Sequence, residues 1–281
     1  MKEKDELHIG TAIGSSSEKL VYGMLVKMCE LFGLSANKRV NILFSWKGFS
    51  QRGKKQPHGW GVAFYPDKSA IIFKEPIGTL SSPLANFLRD YQQIESKIFI
   101  SHLRYASVGE HKHQNTHPFS RKLGEREWIF AHNGTILDID QKFTLEHFKP
   151  LGKTDSEYAF CLILERIQNL TGEKRIRNAI EKIANEIARE GGFNFLLSNG
   201  KKLFAYYSGF NSLYYLQRIP PYHTKRILLK DEDISISLGE MKEQTEKAIL
   251  VATQPLTDET WIDFEPNKLY EFSEGTMINK K

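Results

Sequence analysis

The sequence predicts an α+β fold, with two packed sheets and helices outside them. Three observations carry this. Strand-like segments come first, two amphipathic helices follow, and strands return to the end of the chain. The 281 residues are 40% hydrophobic and 26% charged, an ordinary globular balance that can bury a sizeable core. No internal repeat interrupts the order.

The elements follow from the pattern. Apolar residues alternate after Cys29, as in a strand with one buried face. Apolar spacing from Asn37 to Trp46 predicts a helix beginning near Asn37. A polar loop is expected over 47–58. Residues 59–65 and 69–74 read as a hairpin around Pro66-Asp67-Lys68, and 82–92 as a short helix. Residues 97–106 read as a strand running into a His-rich loop over 107–119. Residues 128–132 make another strand, broken at Asn133-Gly134. A helix is expected from Thr154 to about Leu170, with Phe160, Ile163, Leu164 and Ile167 as its buried stripe. A second helix is expected over 175–189. Strands are expected over 193–198, 202–207, 213–218, 248–253 and 268–272.

Composition excludes several classes. The net charge is +5, and its densest cluster is Lys47, Arg52, Lys54 and Lys55, which reads as a solvated loop. A nucleic-acid partner would need a broader basic face. Two cysteines argue against a disulfide framework and suit the cytoplasm. No apolar run approaches a membrane span. Residues 1–28 differ in composition and read as an N-terminal extension, a propeptide or a mis-called start, with the folded domain over 29–281.

Several polar features fall at strand ends and loops, where chemistry tends to sit. Cys29 follows an internal methionine. At a free chain end it would hold a nucleophilic sulfur and a basic amine in one residue; its ordinary reading is a buried structural thiol. Arg104 ends an apolar strand. Its guanidinium suits a carboxylate in two-point contact, and an intramolecular ion pair fits it equally. Asn133-Gly134 can present a side-chain amide N–H and a backbone N–H together, as an oxyanion hole requires, or can be a plain turn. Asp155 can take a ligand ammonium or stand in a helix's first turn. His111, His113 and His117, with His102, His132 and His58, raise a metal site. No Cys-x-x-Cys or His-Glu-x-x-His spacing supports one, so neither a metal nor a cofactor is expected.

Taken in order, Met-Cys-Glu-Leu-Phe-Gly-Leu-Ser, Gly-Trp-Gly-Val-Ala-Phe-Tyr, His-Leu-Arg-Tyr-Ala-Ser, Asn-Thr-His-Pro-Phe, Ala-His-Asn-Gly and Gly-Lys-Thr-Asp-Ser-Glu resemble the type-2 (class II) glutamine amidotransferase domain. That domain is an N-terminal-nucleophile hydrolase, and the likeness is to its stand-alone members. The resemblance runs from Cys29 to the end of the chain, with Thr253 to Thr257 and Trp261 as weaker late matches. It implies a four-layer αββα sandwich of two antiparallel sheets. It implies Cys29 as nucleophile and its α-amine as base, with Asn133 and Gly134 as oxyanion hole. Arg104 would bind the α-carboxylate of glutamine and Asp155 its α-ammonium. Ser107, His117 and Trp60 would be substrate-binding. Where the family often has Asp before Gly-Trp-Gly, this chain has His58.

The activity so implied is cleavage of the γ-amide of glutamine, or of a γ-glutamyl compound, through a γ-glutamyl thioester. Ammonia would pass to a separate synthase or peptidase subunit or be released. The alternative is a non-catalytic glutamine- or γ-glutamyl-binding subunit in which Cys29 stays blocked.

Overall fold

Alternation along each strand assigns its side chains to two different layers, and the whole architecture follows from that. The computed structural model describes residues 28–106, 110–223 and 226–278. The chain begins with β1 (Glu30–Asn41), α1 (Leu43–Gln51), β2 (Trp60–Phe64), β3 (Ile71–Glu75), α2 (Pro83–Leu88) and β4 (Glu95–Leu103). Next come β5 (Phe119–Leu123), β6 (Arg126–Asn133), α3 (Ile139–Lys142), α4 (Asp155–Ile167), α5 (Glu173–Ile187), β7 (Asn194–Ser198) and β8 (Leu203–Tyr207). It closes with β9 (Tyr214–Arg218), a small hairpin of β10 (Arg226–Leu228) and β11 (Ser235–Ser237), α6 (Leu238–Met241), β12 (Ala248–Ala252), β13 (Ile262–Asp263), β14 (Lys268–Ser273) and β15 (Thr276–Met277).

Two large sheets result. The first has the order β13-β9-β12-β1-β4-β2-β3, the second β15-β14-β8-β7-β6-β5. The pairings along the first are antiparallel, as are those along the second.

Three apolar layers hold the stack. Leu31, Ile98 and Ile100 of the first sheet meet Ile129, Ala131, Leu196 and Ala205 of the second. On the outer face of the first sheet, Trp46 and Phe49 of α1 and Leu88 of α2 cover Phe32, Trp60 and Phe99. On the outer face of the second, Phe160 and Ile163 of α4 and Ile180 and Ile183 of α5 cover Phe130, Phe195 and Phe204. Each such side chain stabilises the fold by about 1.5–3 kcal/mol on burial. The arrangement is the expected mixed α+β sandwich of two antiparallel sheets flanked by helices.

Two local expectations fail. The helix expected from Asn37 is strand: β1 continues to Asn41 and α1 starts at Leu43. The register of β1 against β4 shifts between Ser35 and Val40, so the period of two breaks there and mimics helical spacing. The loop expected over 47–58 is partly helical, with α1 running to Gln51 and a 3₁₀ turn over Arg52–Lys54. Arg52 is buried there, so the basic cluster is not wholly a solvated loop.

Candidate active site

Alternation aims the ends of three strands at one place. Cys29 shares parity with Leu31, which faces the second sheet, and Asn133 shares parity with Ala131, which faces the first. The N-terminal end of β1 lies beside the C-terminal end of β4, where Glu30 pairs with Leu103. Arg104 and Tyr105 follow directly. The two sheets are tied at this end by His102, whose Nε2–H donates to the His132 carbonyl at 3.0 Å.

Neighbours pin the start of β1 firmly. The Leu31 N–H donates to Thr253 Oγ1 at 2.8 Å, and the Thr253 N–H donates to the Leu31 carbonyl at 3.1 Å. Glu30 turns the other way, onto buried Arg52 at 3.2 Å. Arg52 also bonds Asp231 at 2.7 Å and the carbonyls of Gln254 and Pro255 at 3.0 and 2.9 Å. The late motif from Thr253 thus acts by fixing the strand that carries Cys29.

The Cys29 thiol is half-buried. The Tyr105 N–H donates to its Sγ at 3.3 Å, and the thiol faces the Tyr105 carbonyl at 3.4 Å. Burial pushes the thiol up to about 11; the Tyr105 backbone bond and then Arg104 oppose that rise, while Asp155 and Glu30 add to it. Cys161 is fully buried in α4 and is also pushed up to about 11 by burial.

Cys29, Arg104, His117, Gly134 and Asp155 line one cavity of about 310 Å³, counted out to its open mouth. Arg104 is buried; that burial works against its charge, and Cys29 and Asp155 favour it. Asp155 is the first residue of α4, with Thr154 as its N-cap. Its carboxylate accepts from the Ile136 N–H at 2.7 Å and the Ser156 N–H at 2.8 Å. The first-turn reading of Asp155 therefore holds, and the cavity position holds with it.

Asn133 is 1% exposed, yet its Nδ2 has no hydrogen-bond partner among the described residues. A buried amide donor left unmade costs about 1–3 kcal/mol, a cost functional sites tolerate. Gly134 has φ +152°, and a Cβ there would lie 1.9 Å from the Gly192 carbonyl oxygen, so glycine is required.

Not every expected residue joins the site. Trp60 shares parity with Val62 and Phe64 on the helix side of β2. It is fully buried against Trp46, with ring centroids 5.7 Å apart, and does not line the cavity. Its neighbour Gly61 is the residue on the site side, where a Cβ would meet the His117 carbonyl at 2.2 Å. Ser107 lies outside the described residues. His58 supplies a hydrogen bond of its own: its Nδ1 accepts from the Ala106 N–H at 2.9 Å.

Sequence reasoning missed other members. The two Tyr105 contacts to the thiol are backbone groups, which leave no mark on residue identity. His132 donates from Nε2 to the Gly192 carbonyl at 3.0 Å and faces Ser156 Oγ from Nδ1 at 2.8 Å. Its signal is present in Ala-His-Asn-Gly, where the motif points to Asn133 and Gly134 and gives the histidine no role. Among the described residues no group of three His, Cys, Asp or Glu could hold a metal ion.

The buried histidines set a pH response. Burial is the first cause in each case: His102 is brought down to about 3, His117 is held well below its usual range, and His132 is lowered against the pull of Asp155. The folded chain keeps these rings neutral while the unfolded chain protonates them below about pH 6.5. Stability is therefore present above that pH and is expected to fall as pH drops, by about 1.4 kcal/mol per pH unit for each proton withheld. His102→Gln can keep an N–H for the His132 carbonyl and removes one titrating ring, so it should flatten the fall. Thermal midpoints between pH 7 and 4.5 check this, and identical slopes for the two chains would contradict it.

The family described as class-II glutamine amidotransferases matches residues 28–281. An uncharacterised protein of Methanocaldococcus jannaschii is 44% identical over 255 residues, covering 89% of this chain and 71% of its own. The Escherichia coli protein YafJ is 37% identical over 260 residues, covering 89% of this chain and all of its own. The crystal structure of a predicted glutamine amidotransferase from Pseudomonas aeruginosa superposes with a TM-score of 0.67 at 31% identity, over 90% of this chain and all of that one. Glutamine phosphoribosylpyrophosphate amidotransferase from B. subtilis shares the fold, with a TM-score of 0.61 at 16% identity, over 89% of this chain and 48% of that one. From the family match and these relatives, the chain belongs to the class II glutamine amidotransferases.

Proposed function

We propose that this chain cleaves the γ-amide of glutamine or of a γ-glutamyl compound through a thioester on Cys29. The observation that carries the proposal is the single cavity shared by the Cys29 thiol, Arg104 and Asp155. A guanidinium and a carboxylate beside one nucleophile suit the α-carboxylate and α-ammonium of an amino acid. His117 lines the same cavity and shapes it through its ring. Asn133 Nδ2 and the Gly134 N–H are the donors for the oxyanion that forms as Sγ adds to the γ-carbonyl.

The base is the α-amine of Cys29 once nothing precedes it. While Met28 remains, the Gln56 Nε2–H donates to the Met28 carbonyl at 2.9 Å. Loss of Met28 removes that carbonyl and leaves an amine beside Sγ. A chain that keeps Met28 has a high-pKa thiol and no amine, which favours the second reading, a γ-glutamyl-binding protein. Ammonia or another amine passes to water or to a partner subunit. Among the described residues no helix is long and apolar enough to cross a membrane, and cytoplasmic residence accords with the two free thiols.

Arg104→Lys tests the pocket. It keeps the charge and loses the two-point fork. A lost charge-assisted contact is worth about 2–3 kcal/mol, so kcat/KM for glutamine should fall about 30- to 150-fold. Steady-state glutamate release measures it, and a change below about threefold would contradict the assignment of Arg104 to the head group.

A further inference from the structure

Cys29 lines a second cavity as well, and it is the one residue common to the two linings. The second cavity holds about 1180 Å³, counted out to its open mouth. We infer that it is the subsite for the leaving amine of the donor, and that this amine carries a carboxylate. The inference rests on the amidase reading above and names its substrate class.

Three features point there. The first is position. With the γ-glutamyl head held by Arg104 and Asp155, the nitrogen on the far side of the carbonyl carbon points out of the first cavity, and the second cavity is a further space that Cys29 borders. The second feature is size, since this volume far exceeds what ammonia requires. The third is charge. Arg52 is committed to Glu30, Asp231 and two backbone carbonyls. Lys54 and Lys55 line the same cavity, are exposed, and make no ion pair among the described residues. The turn that carries them is fixed by the Lys55 N–H donating to the Arg52 carbonyl at 2.9 Å. Lys55 also acts through space on the Glu30 carboxylate; the lining's three cations, Arg52, Lys54 and Lys55, stand against two carboxylates, Glu30 and Asp231, and the excess positive charge suits an anion.

Gln56 supplies the polar wall. It is 5% exposed, and its Oε1 has no hydrogen-bond partner among the described residues. Once Met28 is gone the amide has lost its Nε2 partner and can turn this oxygen to the N–H of a secondary γ-amide. The donor class is therefore an amino acid or short peptide joined through its amino group to a γ-glutamyl carbonyl. In the reaction the Sγ–carbonyl bond forms and the C–N bond breaks. The thiol proton passes through the α-amine of Cys29 to the departing nitrogen. Water then cleaves the thioester, restoring the thiol and releasing glutamate.

The test compares γ-glutamylglycine with γ-glutamylglycinamide, which differ by the carboxylate. In protein whose first residue is verified as Cys29, kcat/KM should favour γ-glutamylglycine about 5- to 10-fold at low salt, and less as ionic strength rises. Lys54→Gln with Lys55→Gln should bring the ratio near 1, and Lys54→Glu with Lys55→Glu should invert it. A ratio near 1 in the unsubstituted protein, or one untouched by both pairs of substitutions, overturns the inference. So does turnover of glutamine with neither conjugate cleaved, which leaves the amidase reading standing. Absence of turnover for all three compounds overturns both.

Discussion

A chain that begins at Met28 is expected to lose that methionine, present Cys29 as its first residue, and hydrolyse glutamine or a γ-glutamyl compound about 100- to 10,000-fold faster than a verified full-length chain. The range is what a positioned general base contributes. In the full-length chain the Cys29 nitrogen is an amide and has no basic lone pair. With the thiol pushed up to about 11 by burial, the thiolate is scarce at pH 7. A free α-amine, with a pKa near 8 in unperturbed chains, can take that proton. It acts when neutral, so activity should rise as pH climbs towards about 8 and be lost below that. Folding should survive the shortening, because the three core clusters draw on described residues from Leu31 onward. Intact mass and glutamate release on the same samples check all of this. Equal turnover by the two forms would rule out the amine as base.

Asn133→Ala should lower kcat about 100-fold or more while changing KM little, because the oxyanion exists in the transition state and not in bound glutamine. The Nδ2 has no partner among the described residues, so its removal strands no described group bonded to it. The thermal midpoint should therefore move by a few degrees at most. Arg104→Lys acts on the head group instead and should raise KM. A large loss of stability in Asn133→Ala, or a KM effect equal to the kcat effect, would show that the amide holds structure or substrate rather than the oxyanion.

Much of this site was legible because chemistry fixes residue type. Cys29, Arg104, Gly134 and Asp155 come from separate stretches of the chain and line one cavity, and Asn133 adjoins Gly134 at the end of β6. What stayed hidden acts through the backbone or through parity. The Tyr105 contacts to the thiol are main-chain groups. Trp60 looked like a ligand neighbour because its motif surrounds the site; alternation along β2 turns it outward and leaves Gly61 facing His117. The fold shows the same division. Long apolar strands such as β4 and β7 follow from period two. β5, over Phe119–Leu123, escaped notice because it is an edge strand with Phe119 as its one buried residue. The end of β1 escaped because the register shift before Val40 disrupts the alternation.

The central claim is that Cys29 is the nucleophile of a γ-glutamyl amidase. Treating the active protein with a glutamine analogue that carries an electrophile at the γ-position, then mapping the adduct by peptide mass, tests it most directly. The account predicts one adduct, on Cys29, in a peptide that begins with that residue and has a free α-amine. Cys161, fully buried in α4, should stay unlabelled. An adduct on Cys161, or active protein with no adduct on Cys29, would contradict it.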